Sequence, residues 1–383
     1  MEKTYDTVVI GAGVFGAWTA YTLRRAGQSV ALLDAYGPAN SRASSGGESR
    51  IMRTGYGADE IYTRWAARSL ALWREFCDGV VPPLFQQTGV LWLAPEGDAY
   101  SLATLKTFRN VGVRFERLSP TDLAGRYTQM SFGAETWGTL ETDAGVLMAR
   151  RAVHTVVSEA IKRGVEYMQE SVATPAGEGR LSAVVTRSGV KVSAGCFVFA
   201  CGPWLPKIFP DILRERFQVT RQEVFFFGVE AGDRRFGARH MPAWIDFTEL
   251  VYGLPDLEDR GVKLAIDRHG PTFDPEAGER VVTAEGLAEV RRHLARRLPA
   301  LGSAPVVETR VCQYENTSNG DFLIDRHPSF ENVWLVGGGS GHGFKHGPVV
   351  GEYVADMTTA RGREPEPRFA LSAKGTIQQR AVY

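Results

Sequence analysis

One glycine-spaced turn near the N-terminus constrains this chain more than any other feature. Gly11-Ala-Gly-Val-Phe-Gly16 follows the β-branched run at residues 7–10 and opens a helical pattern reaching Arg25. A second apolar run at 29–33 comes next, with Asp34 at its end. Strand, turn, helix, strand is the context in which G-x-G-x-x-G spacing binds a dinucleotide. Gly11 permits the tight turn, Gly13 lets backbone amides approach a pyrophosphate, and Gly16 allows the helix to pack close on the strand. The helix N-terminus then faces the phosphate charge. Asp34, about twenty residues beyond the first glycine, is placed to accept hydrogen bonds from ribose hydroxyls. A glycine-rich turn without a ligand is the competing reading, and it leaves all these agreements unexplained.

Beyond this unit, residues 35–58 read as irregular and rich in Gly, Ser and Arg, residues 61–76 as helix, and Pro82-Pro83 as a break. From Gly89 the pattern changes to short aromatic strands and turns, which points to a second lobe. Helical periodicity returns over 145–163. Residues 184–186 and 190–192, joined by Arg187-Ser188-Gly189, read as a hairpin. Residues 196–200 form a buried strand that stops at Cys201-Gly202-Pro203-Trp204. The block 219–266, dense in β-branched and aromatic residues, reads as an antiparallel sheet, and 284–298 as an amphipathic helix. Residues 333–336 are a last buried strand, running through Gly337-Gly338-Gly339-Ser340-Gly341 into a final helix that opens over 339–345. The polar, proline-bearing tail after Arg361 reads as a surface excursion.

The fold expected is therefore α/β: a Rossmann-type nucleotide-binding domain with a second, antiparallel β-sheet substrate domain. The first is discontinuous over 1–85, 141–215 and 305–383, and the second comprises 86–140 and 216–304. A chain of 383 residues suits two lobes sharing one body.

Lysine plus arginine and aspartate plus glutamate are both 44, so no net field attracts nucleic acid or anionic lipid. The pairs Arg291-Arg292 and Arg296-Arg297 read as a solvated helix face. The four cysteines lack CxxC spacing, which excludes a zinc ribbon or disulfide framework and suggests a reducing compartment. No metal site is expected. The chain reaches Asp6 before any apolar run, and no apolar stretch has bilayer length. A cytoplasmic, membrane-free enzyme is the expectation. There is no GxSxG elbow, which discounts a hydrolase.

The fingerprint alone does not separate NAD from FAD. The distal segments lean towards FAD, because a flavin lies extended and several chain segments must converge on it. Phe199-Ala-Cys-Gly-Pro-Trp204 and Val336-Gly-Gly-Gly-Ser-Gly-His-Gly343 both follow buried strands and could bring backbone close to a large planar ligand. Each taken singly is equally readable as a plain strand-to-loop turn. The candidate cofactor contacts are Gly11, Gly13, Gly16, Asp34, Ser44, Gly47, Gly202, Gly339, Gly341 and Gly343.

Along nearly its whole length the chain resembles the amine-oxidising flavoenzymes around monomeric sarcosine oxidase and N-methyltryptophan oxidase, within the D-amino-acid oxidase superfamily. The likeness is specific at Glu48-Ser-Arg-Ile-Met-Arg-Thr-Gly-Tyr56 and at Val311-Cys-Gln-Tyr-Glu-Asn-Thr317. It is specific again at Asp321-Phe-Leu-Ile-Asp-Arg-His-Pro328 together with Ser340-Gly-His-Gly-Phe-Lys345. The resemblance implies a discontinuous FAD lobe with a β-sheet lobe covering the flavin. It also implies oxidation of a substrate amine to an imine, with O2 returning as hydrogen peroxide. It makes Cys312 the covalent flavin anchor, Arg53 and Lys345 a clamp on a substrate carboxylate, and Arg50 a neighbour of the flavin ring. Tyr252 and Tyr314 would line the pocket, His342 would stand at the flavin edge, and Lys263 would activate oxygen.

The residues themselves say less. An arginine fork with an ammonium is a sound carboxylate receptor, although surface charge is the commoner fate of either residue. Free amides at an opening helix over 339–345 would favour negative charge on the flavin. On the alternating run Val262-Lys-Leu-Ala-Ile-Asp-Arg-His269, Lys263, Ala265, Asp267 and His269 share one face, and pattern alone favours solvent for that face. An isolated cysteine such as Cys312 is usually a small buried hydrophobe. The chain also departs from its apparent relatives. Four residues beyond the oxygen-activating lysine they carry a substrate-binding histidine, whereas this chain has Asp267, with His269 two further on. Either the strand shifts register or a carboxylate replaces the imidazole, which turns expectation from sarcosine towards larger or more cationic amines.

The function expected is oxidation of a C–N bond in an amino-acid-like secondary amine by a monomer, with O2 as acceptor and Lys263, Arg50, His342 and Asp267 as the catalytic set. The rivals are an amine dehydrogenase with another acceptor and a non-catalytic flavin-binding subunit.

Overall fold

The computed structural model describes residues 4–359 and 364–378. The first strand, Thr4–Ile10, lies inside a seven-stranded sheet and pairs in parallel with both Val30–Leu33 and Lys191–Phe199. Glu166–Met168 continues the sheet beyond one neighbour, and Val333–Gly337 and Leu323–Arg326 continue it beyond the other. Strand alternation divides its side chains between two cores. Val9, Val198 and Val336 meet the helices Val14–Arg25, Ala149–Lys162 and Gly347–Thr358, while Val8, Ile10, Phe197 and Phe199 face the opposite layer.

An eight-stranded sheet stands over the ends of these strands. Val306–Thr317 forms one edge and pairs antiparallel with Phe217–Phe227, which pairs with Val262–Ile266 and so on through Val251–Leu254 and Ala243–Asp246. Within Val262–Ile266, Val262 and Leu264 join the core beneath the helix Ala284–Arg297, and Lys263 and Ala265 take the other face.

Several expectations need correction. The segment read as strands and turns after Gly89 also contains two helices, Ala99–Val111 and Pro120–Arg126, capped by Asp98 and Ser119. The second sheet is mixed, because Ala243–Asp246 pairs in parallel with Val90–Pro95. Residues 184–192 do form a hairpin, but its second strand continues unbroken to Phe199. Arg297 is not on a solvated face. It turns inward and pairs with Asp246, while Arg296 stays outside. The final α-helix begins at Gly347, and residues 339–346 are a turn and one 3-10 segment, so they present no α-helix N-terminus.

The tail is also not a simple surface excursion. Within its described part, Phe369 is fully buried against Trp65, Phe322 and Tyr353, with ring centroids 4.9, 5.7 and 5.9 Å away. Arg368 pairs with Asp59 at 2.8 Å and Asp321 at 3.1 Å, and Lys374 donates to the Arg368 carbonyl at 2.6 Å. Residues 361–363 and 379–383 of that tail lie outside the described residues. Truncating a buried aromatic ring costs about 3–5 kcal/mol. Phe369→Ala should therefore lower stability by that amount in chemical denaturation, whereas a dispensable tail would leave the midpoint unchanged.

Candidate active site

Where the parallel strands end, the two sheets enclose a cavity of about 470 Å³. Gly11, Gly13 and Asp34 contribute to its wall from the parallel sheet, and Cys312 and Tyr314 from the strand Val306–Thr317. Gly11 sits at φ +105°, and a Cβ there would stand 2.3 Å from the Ala200 carbonyl oxygen. The turn and the neighbouring strand end therefore admit only glycine. At Gly16 a Cβ would meet the Gly11 carbonyl oxygen, so that residue serves the packing of helix on strand and is not part of the cavity wall.

The cavity fits a dinucleotide. Gly13 has no side chain to cap the helix, and although Val14 N donates to Ser45 Oγ at 3.1 Å, the next amides of the first turn and its positive end are left for phosphate. Asp34 is oriented by the amides of Ala12 at 2.7 Å and Tyr36 at 2.9 Å, and burial pushes its carboxyl up. The Trp204 indole nitrogen, buried without a partner, belongs to the same wall. Ser44, Gly202, Gly339, Gly341 and Gly343 line it as well. Gly47 does not. Its missing Cβ makes room for the Arg50 guanidinium, which a methyl would meet at 2.5 Å.

Arg50 donates to the carbonyls of Ser44 and Ser49 at 2.7 and 2.8 Å, and its Nη2 lies 3.6 Å from Cys312 Sγ. Beside them is Lys263, buried although the sequence pattern favours solvent, with Nζ donating to the Ser49 carbonyl at 2.9 Å. Burial pushes this amine well below its ordinary range, and the positive charge of Arg50 adds to the effect. Lys263, Arg50, Glu48 and Cys312 enclose a second, small cavity of about 20 Å³.

A second cluster is built on Tyr56. The Arg53 guanidinium lies 4.5 Å from the centre of that ring and Lys345 Nζ 5.2 Å. Both are buried, at 7% and 4% exposure. The loop that carries Arg53 is held by Glu141, a residue that sequence reasoning passes over. The Glu141 carboxylate accepts from Thr54 N and Thr54 Oγ1, each at 2.6 Å, from Gly55 N at 3.1 Å and from Trp92 Nε1 at 2.7 Å. The Gly55 carbonyl in turn accepts from Arg53. Lys345 Nζ donates to the His342 carbonyl at 2.8 Å, and burial followed by Arg53 pushes its amine well down.

Tyr56 also joins two histidines, His342 Nδ1 at 2.9 Å and His346 Nε2 at 2.7 Å, while His342 Nε2 meets the Gly320 carbonyl at 3.1 Å. A carbonyl can only accept, so in the neutral ring His342 carries its proton on Nε2 and Nδ1 accepts from Tyr56. His346 Nε2 then donates to Tyr56, and His346 Nδ1 is left as a bare acceptor, in keeping with its buried, unpartnered state. Burial, then the charges of Lys345 and Arg53, push His346 down and keep it neutral.

Asp267 completes the cluster. It follows the strand Val262–Ile266 without a register shift, and its Oδ1 accepts from Tyr314 Oη at 2.8 Å. It does not pair with Lys263. Burial pushes its carboxyl up, against Tyr314, Arg53 and Lys345, which favour the charged form. Tyr252 lies 6.0 Å from Lys263 Nζ, and its hydroxyl is pushed up by burial. His269 packs edge-on against the Tyr314 ring, 6.4 Å between centroids. The structure therefore brings Arg53, Lys345, His342, Tyr314 and Asp267 together, with Arg50, Lys263, Cys312 and Tyr252 adjoining. Tyr56, His346 and Glu315 also went unassigned from sequence. Glu315 lines the large cavity, and burial pushes its carboxyl up to about 8.

A nucleotide cleft under a covering sheet, with buried cations beside it, is the plan of a two-lobed flavoprotein. A family model described as "FAD dependent oxidoreductase" (DAO) matches residues 6–357, and the chain belongs to that family. It is 30% identical to the monomeric sarcosine oxidase of Streptomyces avermitilis, over 93% of this chain and 94% of that protein. To the N-methyl-L-tryptophan oxidase of Salmonella arizonae it is 29% identical, over 96% and 97%. Among solved structures, L-proline dehydrogenase from P. horikoshii superposes with a TM-score of 0.82 over 97% of this chain and 98% of that one; at 20% identity the likeness concerns the fold alone.

Leaving a buried donor without its acceptor costs about 1–3 kcal/mol. Glu141→Gln offers one oxygen where two took donors, so it should destabilise the protein by about that amount. It should also weaken binding of any ligand that needs Arg53. Unchanged denaturation and unchanged ligand titration would remove Glu141 from this role.

Proposed function

We propose that the protein oxidises a C–N bond of an amine that also carries a carboxylate, giving an imine and passing electrons to O2. One observation carries this reading: two buried basic side chains, Arg53 and Lys345, lie 4.5 and 5.2 Å from the centre of the Tyr56 ring beside the nucleotide cleft. Neither side chain is ion-paired with a carboxylate within the described residues, and a planar guanidinium beside an ammonium suits a carboxylate. The relatives' names, which specify sarcosine and N-methyl-L-tryptophan, support the same substrate class.

Bound FAD supplies the two-electron acceptor. Gly11, Gly13 and Asp34 would hold its nucleotide half, the glycine-rich turn from Gly339 to Gly343 would meet the flavin, and Cys312 would attach it covalently. Arg53 and Lys345 anchor the substrate carboxylate. Tyr252, Tyr314 and His342 border the amine and exclude water. Arg50 and Lys263 stand in the neighbouring compartment, where Lys263 Nζ offers dioxygen positive charge and a proton as it takes up electrons. The eight-stranded sheet serves as the substrate lobe.

A peroxide assay over matched amines with and without a carboxylate tests the function. Carboxylated amines should bleach the flavin anaerobically and yield peroxide in air. Bleaching without peroxide would favour a dehydrogenase, and no bleaching by any amine a non-catalytic subunit. Lys263→Met should cut peroxide formation at least ~100-fold while anaerobic bleaching changes less than ~10-fold. Equal losses in both would make Lys263 a substrate-binding or structural residue.

The attachment is tested separately. Acid-precipitated protein should stay yellow, with the flavin on the tryptic peptide containing Cys312, because a thioether survives denaturation. A colourless pellet from fully loaded enzyme overturns the attachment.

A further inference from the structure

An amino acid in water carries its amine as an ammonium ion, which has no lone pair to give during oxidation. Some group must take that proton. The cluster around Tyr56 contains several titratable side chains, and most are committed. Glu141 already accepts four donors. His342 is hydrogen-bonded through both ring nitrogens, and His346, whose Nδ1 is bare, is fully buried. Tyr252 and Tyr314 have hydroxyls pushed up by burial, so they hold their protons. His269 packs edge-on against the Tyr314 ring, 6.4 Å between centroids, and burial pushes its imidazole down, which weakens it as a base. That leaves Asp267, half-buried, with Oδ1 on Tyr314 and no hydrogen bond to Oδ2 among the described residues.

We propose that Asp267 is the catalytic base that takes the proton from the substrate ammonium, through Oδ2, while Arg53 and Lys345 hold the substrate carboxylate. The inference rests on the function proposed above and deepens it. In the step, one N–H bond breaks, one O–H bond forms on Asp267, and the amine keeps the electron pair; nothing is oxidised or reduced. The proton stays on Asp267 until product leaves.

The surroundings favour the transfer. Burial penalises an ammonium–carboxylate pair more than an amine–acid pair, since only the first is charged. Lys345 is the protein's own example of an ammonium in this place, and both burial and Arg53 push it towards the neutral form. A substrate ammonium there meets the same two influences. Asp267, also affected by burial, is pushed towards its protonated form. Arg53 and Lys345 oppose protonation of Asp267, and the incoming substrate carboxylate offsets them. Tyr314 keeps Oδ1 occupied, so the free oxygen is the one that receives the proton.

The test uses the flavin-loaded enzyme under anaerobic conditions, reading the rate of flavin bleaching against pH at substrate concentrations well below saturation, where the free amine's own pKa governs. In Asp267→Asn the amide oxygen can still accept from Tyr314, but no base remains. Only substrate already neutral should react. With an amine pKa near 10, bleaching at pH 7 should fall by about 10³-fold and recover about tenfold per pH unit. Titration with a thioether acid, which has the carboxylate and no amine, should perturb the flavin spectrum equally in both proteins, showing an intact anchor. Parallel pH profiles for the two enzymes would overturn the proposal. If no carboxylated amine bleaches wild-type enzyme at any pH, the function itself fails instead.

A second readout needs no variant. Binding of 2-aminoisobutyrate, which has no α-hydrogen to lose, should add the infrared carbonyl band of a protonated carboxyl to wild-type enzyme. Absence of that band at saturation also overturns the proposal.

Discussion

The candidate site depends on a single carboxylate withdrawn from water. Glu141 is almost completely buried at the end of the strand Thr136–Glu141, and such an anion persists only where donors replace its hydration. Three of its donors come from Thr54 and Gly55, one residue pair in the loop that carries Arg53, and the fourth from Trp92 on the adjacent strand. Sheet and loop are thereby locked together through one functional group. The position of Arg53, and of Tyr56 three residues on, follows from the pleat of a strand that neither residue belongs to.

The site is organised as two compartments fed by one strand. Lys263 and Asp267 lie on the same face, four residues apart, or about 13 Å at the rise of an extended chain. Lys263 meets Arg50 and Cys312, and Asp267 meets Tyr314 and the field of Arg53 and Lys345. A register slip of one residue would turn both into the apolar core under the helix Ala284–Arg297. Burial pushes the amines of Lys263 and Lys345 down and the Asp267 carboxyl up, whereas Arg53 is pushed up against burial by Tyr56, Tyr100, Asp267 and Glu141.

Much of the fold was legible because it is encoded locally. The turn at Gly11–Gly16 with Asp34 and the buried runs on either side announce a nucleotide-binding unit in one short segment. The helix Ala99–Val111 was not legible, since its aromatic and β-branched residues imitate a short strand, and Pro120–Arg126 was too short to show a helical period. For the site, flanking motif residues brought out Arg53, Lys345 and Cys312. Glu141 gave no signal, because its donors are about fifty and ninety positions away and the sequence near it is an ordinary strand end. The burial of Lys263 was equally invisible, as an alternating strand reads alike whether its polar face meets water or a cavity. His346 and Glu315 stood inside or beside quoted motifs and were overlooked for want of a partner visible in sequence.

The order of strands in the parallel sheet has a consequence for how the chain is made. Thr4–Ile10 is synthesised before both of its neighbours, Val30–Leu33 and Lys191–Phe199, and the latter pairs onward with Val333–Gly337. That strand therefore waits for a partner synthesised far later, and Phe369 enters the aromatic core only after all of these strands are made. Until then the nascent chain exposes apolar strands with unpaired edges, the state most prone to aggregate. Yield in a foreign host should thus be governed by translation rate and chaperone supply as much as by the stability of the finished fold.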